Sequence, residues 1–205
     1  MKTVLSTLAF LAIAGTASAS ITYSVQAEFN GGAFSTSSIS TPLVNNGDTL
    51  TLTFTPTEPA GAVASPTNTA WGSLFLGITG NNAATFDFST VTLVLHLIDT
   101  ATGGFVTETG TFTGTFSVTA NQGNPQSTGN IAWSPTGTQN VGGLSTTTFT
   151  TDSSDPIGNT LSPTNAATTV NGTVATLVAA PEPGTLGILG AGLLGLGLIA
   201  RKRRA

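Results

Sequence analysis

Apolar side chains recur at every second position in the best-patterned parts of this chain, with hydroxylated or polar residues between them. Ile21, Tyr23, Val25, Ala27 and Phe29 alternate with Thr22, Ser24, Gln26 and Glu28, and Leu50, Leu52 and Phe54 alternate with Thr49, Thr51, Thr53 and Thr55. A period of two gives an extended strand one dry and one wet face, and it cannot line one face of a helix. Roughly forty threonines in 205 residues point the same way, because a β-branched side chain is stiff in a helix and packs well on a pleated surface. Residues 71–79 are another candidate, and residues 91–98 are nearly apolar on both faces, which predicts an inner strand covered by two layers. Residues 105–108 and 111–119, separated by Gly110, read as a hairpin with Phe112, Phe116 and Val118 inward and a bulge at Gly114. Weaker strands lie near 131–133 and 144–151, and a last one at 170–178.

Asn30-Gly31-Gly32, Asn45-Asn46-Gly47-Asp48, Gly80-Asn81-Asn82, Gly103-Gly104 and Asn121-Gln122-Gly123-Asn124-Pro125 punctuate these runs, and the glycines read as turns. With no 3.6-period stretch between the two ends, the expectation is an all-β exported domain over residues 20–180, an antiparallel β-sandwich or a jelly-roll-like fold.

Residues 20–180 contain no Lys, Arg or Cys, but hold Glu28, Asp48, Glu58, Asp87, Asp99, Glu108, Asp152 and Asp155. The formal charge of -4 therefore understates the acidity of this region, because every cation lies at one end of the chain or the other. A surface without cations cannot neutralise phosphates, which excludes nucleic acid as a partner. Missing thiols remove disulfides, thiol catalysis and Cys-ligated metals, so stability rests on burial.

Few residues suggest chemistry. His96 stands alone between Leu95 and Leu97, with no second His for a metal and no G-x-S-x-G turn for a serine nucleophile, so it reads as structural. Glu28, Glu58 and Glu108 are the candidates for a glycosidase carboxylate pair, but they belong to different elements and read as solvated acids. Asp152 and Asp155, together with Asn45, Asn46 and Asp48, offer oxygens suited to calcium. Trp71, Trp133 and Tyr23 could stack on sugar rings or pack in the core. Thr107, Thr109, Thr111, Thr113 and Thr115 would form one column if the chain stayed extended through Gly110.

Both ends look like addresses. Lys2, an apolar run and the small residues Ala17 and Ala19 form a secretory signal over residues 1–19, cleaved before Ser20. At the other end Pro181-Glu182-Pro183 precedes an uncharged span that opens with Leu186 and closes with Ala200, followed by Arg201, Lys202, Arg203 and Arg204. As a helix, residues 184–200 would reach about 26 Å, near the thickness of a bilayer core, and the basic cluster would stay on the cytoplasmic side. The small residues Gly187, Ala191 and Gly195 would line one stripe of that helix.

Residues 181–205, with Pro181-Glu182-Pro183, the Gly/Leu-rich span and the basic terminus in order, resemble the PEP-CTERM sorting signal. That resemblance implies recognition by an exosortase, a membrane-embedded transpeptidase-like enzyme of Gram-negative bacteria that make exopolysaccharide, and cleavage near the motif. The expectation is an exported protein, membrane-anchored as a precursor and then placed on the cell surface or in the extracellular matrix. There it would be structural or adhesive in exopolysaccharide, without enzymatic activity or cofactor. A calcium-assisted carbohydrate-binding module is the alternative, and a small glycoside hydrolase the third reading.

Overall fold

The computed structural model describes residues 20–59, 61–141, 147–151, 159–160 and 167–176. In chain order the strands are β1 (Ser20–Ile21), β2 (Tyr23–Phe29), β3 (Ile39–Asn45), β4 (Asp48–Pro56), β5 (Val63–Ala64), β6 (Thr67–Thr79), β7 (Ala84–Asp87), β8 (Thr92–Asp99), β9 (Phe105–Thr113) and β10 (Thr115–Thr119). After a 3-10 turn at Ala120–Gln122 come β11 (Gly123–Ser127), β12 (Asn130–Ser134), β13 (Thr138–Asn140), β14 (Thr147–Thr151), β15 (Asn159–Thr160) and β16 (Thr168–Thr176). Every pairing is antiparallel, as the alternation predicts.

Two sheets dominate, one of five strands in the order β15-β12-β9-β8-β2 and one of six in the order β13-β14-β16-β6-β4-β3. Their inner faces feed one core. Tyr23, Val25, Ala27, Leu93, Leu95, Leu97, Phe112 and Ile131 come from the first sheet, and Leu50, Leu52, Phe54, Trp71, Leu74, Phe149, Val170 and Val174 from the second. Tyr23 joins the layers: its ring meets Phe149 edge-on at 5.9 Å, and its hydroxyl hydrogen-bonds Thr69 Oγ1 at 2.8 Å. Burying each large apolar side chain contributes about 1.5–3 kcal/mol, the main favourable term in a chain without disulfides. A three-stranded sheet, β11-β10-β7, adds Ala84, Phe86, Phe116 and Val118 to the same core. Gly114, with φ of +87°, turns the chain out of β9 into this third sheet.

Three sequence expectations change. The hairpin at Gly110 does not form, because β9 runs straight through it and pairs Gly110 with Trp133 on one side and Leu93 on the other. Asn124 and Pro125, read as a turn, lie in β11, although Asn121 and Gln122 just before it, and Asn124 itself, do adopt positive φ. Residues 91–98 are covered fully on one side only: Val91, Leu93, Leu95 and Leu97 are buried, while Val94, His96 and Ile98 are half-buried on the outer face. The signal at 1–19, the calcium candidates Asp152 and Asp155 and the tail at 181–205, including its apolar span, lie outside the described residues. No helix among the described residues is long and apolar enough to cross a membrane.

Several glycines serve as beds for aromatic rings. A Cβ on Gly110 would meet Ile131 at 2.8 Å and the Trp133 ring at 2.9 Å, one on Gly72 would overlap the Phe54 ring, and one on Gly172 would overlap the indole of Trp71. Overpacking of this kind costs about 1–3 kcal/mol. Gly172→Ala is therefore expected to lower the unfolding free energy by about 1–3 kcal/mol in urea titration. Gly61→Ala, where a Cβ meets nothing within 4 Å, should shift it by less than about 0.5 kcal/mol.

Candidate functional site

The acidic candidates separate in space. Glu28 lies half-buried on the outer face of the five-stranded sheet, opposite Val94, whereas Glu108 lies buried on the inner face, opposite Leu95. Glu58 follows β4 in a connecting segment. The reading of Glu108 as a solvated acid is thus overturned by the phase of β9, in which Val106, Glu108, Gly110 and Phe112 all face inward. The three carboxylates do not come together around one bond.

Asn45, Asn46 and Asp48 do come together. Asn46 and Gly47, with φ of 52° and 77°, form the two-residue turn joining β3 to β4, a conformation that Asn-Gly accepts at little cost. Asp48 is buried beneath it. Its carboxylate accepts the Asn82 main-chain N–H at 3.0 Å and the Asn82 side-chain amide at 3.0 Å, and that amide also donates to the Asn46 carbonyl at 3.0 Å. Asn46 in turn donates to the Ala83 carbonyl at 2.9 Å, and Gln122 to the Gly80 carbonyl at 2.9 Å. The cluster thus works as a hydrogen-bonded clasp between turns, with the Asp48 oxygens occupied by N–H donors. Nearby, a cavity of about 290 Å³ opens between β3 and β7, lined in part by Leu43, Val44 and Phe86 and crossed by a hydrogen bond from the Asn45 amide to the Thr85 carbonyl. Among the described residues no group of three or more His, Cys, Asp or Glu is placed to hold a metal ion.

The aromatic candidates are all inside. Trp71 is fully buried, and Tyr23 and Trp133 are nearly so, because each occupies an inward position of its strand. The Trp71 indole N–H finds no acceptor among the described residues. The aromatic side chains that do reach the surface are ones the sequence reading passed over. Phe105 is 51% exposed and Phe75 is 42% exposed.

Phe105 belongs to a cluster on the outer face of the five-stranded sheet. Asn30 and Gly31, with φ of 52° and 77°, reverse the chain after β2, and Ser35 then pairs with Ala27 through two hydrogen bonds of 2.9 Å. This return path lays Phe34 flat on His96, at 3.6 Å between ring centres and 15° between planes. Phe105 also meets the His96 ring, tilted, at 4.5 Å between ring centres. In the strand register Gln26, His96 and Thr107 form one row across β2, β8 and β9. Burial lowers the pKa of His96, and the nearby Glu28 partly opposes that shift. The threonine column holds only for Thr107, Thr109, Thr111 and Thr113, because Thr115 lies beyond Gly114 in the third sheet.

The first described strand and the end of the last one share one pole. β1 pairs with β5, matching Ser20 to Ala64, and the adjacent Ser65 hydroxyl accepts the Thr176 main-chain N–H at 2.7 Å at the end of β16. β16 itself lies inside the six-stranded sheet, between β14 and β6.

Replacing Asp48 with Ala is expected to remove about 1–3 kcal/mol of stability, since it removes a buried acceptor and with it both hydrogen bonds from the Asn82 main-chain and side-chain N–H; chemical denaturation measures this. His96 sets a second expectation. Because its folded pKa lies below its unfolded value, the unfolded chain binds the proton first, so stability is complete above the unfolded value near 6.5 and falls as pH drops toward the folded value. As the only histidine in the chain, it gives the assignment directly: the melting-temperature slope between about pH 7 and pH 5 should flatten in His96→Gln.

No curated protein matches the chain, and no solved structure does. One family does match, at the C-terminal tail alone. Such a motif implies export toward the cell surface and processing by an exosortase-type enzyme. Three residues beyond the end of β16, residues 179–204 carry a PEP-CTERM protein-sorting motif.

Proposed function

We propose that residues 20–180 form a non-catalytic structural or adhesive protein of the cell surface or the extracellular polysaccharide matrix. The sorting motif at residues 179–204 is the observation that supports this most strongly. On this reading residues 1–19 direct export, and the precursor stays in the membrane through residues 186–200. Arg201, Lys202, Arg203 and Arg204 remain on the cytoplasmic side until an exosortase-type enzyme cuts near Pro181-Glu182-Pro183. A domain with acidic residues, no Lys or Arg and abundant hydroxyls is suited to a hydrated polysaccharide, where it stays soluble and hydrogen-bonds without needing counter-charges.

The described acids favour this reading over hydrolysis. Two carboxyl groups must flank one glycosidic bond, whereas Glu28 and Glu108 lie on opposite faces of the same sheet. Calcium assistance gains no support at Asp48, whose oxygens serve Asn82. The intact mass of the native protein from culture supernatant and from membranes provides the test. A supernatant form that begins at Ser20 and ends near Pro181 is expected. A single membrane-bound form that keeps its basic terminus would overturn the processing step.

A further inference from the structure

Resting on this matrix reading, we propose that the outer face of the five-stranded sheet, centred on Phe105 and His96, is a binding site for an uncharged polysaccharide chain. Large aromatic rings in the described structure are mostly buried, so a three-ring cluster ending in a half-exposed Phe105 is a departure from the pattern. Phe34 stacks on the His96 ring and Phe105 also meets it, which gives an apolar platform backed by a paired sheet. The C–H face of a pyranose matches such a platform. Around it the register supplies what the sugar's equatorial hydroxyls need: the Gln26 amide and the Thr107 hydroxyl in the same row as His96, and the Glu28 carboxylate one row on. Three strands at about 4.8 Å spacing place Gln26 and Thr107 about 10 Å apart, with Phe105 and Glu28 one row to either side, the reach of a few sugar rings.

Charge selects among occupants. The face carries Glu28 and no Lys or Arg, within an acidic domain, so it repels anionic polysaccharides, nucleic acids and anionic lipid while leaving neutral glycans unopposed. A second copy of the chain is the remaining competitor for an exposed ring, and it is an outcome of the test.

The test uses the processed protein from culture supernatant in native affinity gels containing hydroxyethylcellulose, galactomannan or alginate. Retardation by at least one neutral polymer and none by alginate is expected. Phe105→Ala should weaken retardation about tenfold, as the loss of one stacked ring implies. Phe75→Ala, a comparably exposed ring on the other large sheet, should leave it unchanged, and melting temperatures confirm that both variants fold. Equal retardation of wild type and Phe105→Ala overturns the site. So does a Phe105→Ala protein that loses self-association in sedimentation while glycan retardation persists. If the wild type is recovered from the native matrix yet no neutral polymer retards it, the site fails and the matrix reading stands. Retardation that depends on Phe105, from a protein absent from the matrix, upholds the site and overturns that reading.

Discussion

A domain without a single Lys or Arg must hold the carboxylates of its turns with neutral donors, and much of the turn architecture follows from that constraint. Asp48 takes both the main-chain and the side-chain N–H of Asn82, and Asp87 and Asp99 accept the main-chain N–H of Ser89 and Ala101 at 2.8 and 2.9 Å. Hydrogen bonds to an ionised acceptor are about twice as strong as neutral ones, so each also fixes the turn that carries it. Of the Asn amides at residues 45–46 and 81–82, Asn82 takes the part that Arg or Lys plays elsewhere at Asp48, while Asn45 and Asn46 donate to the Thr85 and Ala83 carbonyls and tie one turn to the next. Cohesion built this way, with burial behind it, is insensitive to the ionic strength of a matrix, since there is no Lys–carboxylate or Arg–carboxylate pair in residues 20–180 for salt to screen.

Close packing supplies the rest. Gly72 beneath Phe54, Gly110 beneath Trp133 and Gly172 beneath Trp71 repeat one solution, a missing Cβ in one strand making room for a ring from another. Glycine weakens a strand by itself, but a ring laid over it shields the backbone and restores the lost contact. The interior therefore holds its bulkiest side chains without parting the two sheets.

The parts of this fold legible in the sequence are the strands with strict alternation. Tyr23, Val25, Ala27 and Phe29, like Leu50, Leu52 and Phe54, are buried in the phase their spacing predicts. What was not legible has physical causes. Gly110 carries the composition of a turn but the packing role of a strand interior. Pro42 sits in β3, an edge strand where a missing N–H costs nothing on the open side, so a residue that argues against strands is tolerated there. Long-range contacts decided the candidate site. Burial of Trp71 and Trp133 depends on which face of each strand meets the other sheet, and Phe34 reaches His96 only because the chain doubles back after Asn30. One signal was present, namely that Phe105 shares the outward phase of Thr107 and Thr109, an apolar ring on a wet face.

The pole shared by β1 and the end of β16 also has a mechanical meaning on the proposed reading. β16 is bonded on both sides, to β14 and to β6, and its last residue is fastened by Ser65 where the tail departs. On the proposed reading, in which the tail anchors the precursor, a pull applied at the end of β16 would run along that strand. It would meet the two ladders in shear, loading their hydrogen bonds together instead of peeling them apart one by one. On that reading, the strand that leads into the tail is an inner strand bonded on both sides, suited to bear its load.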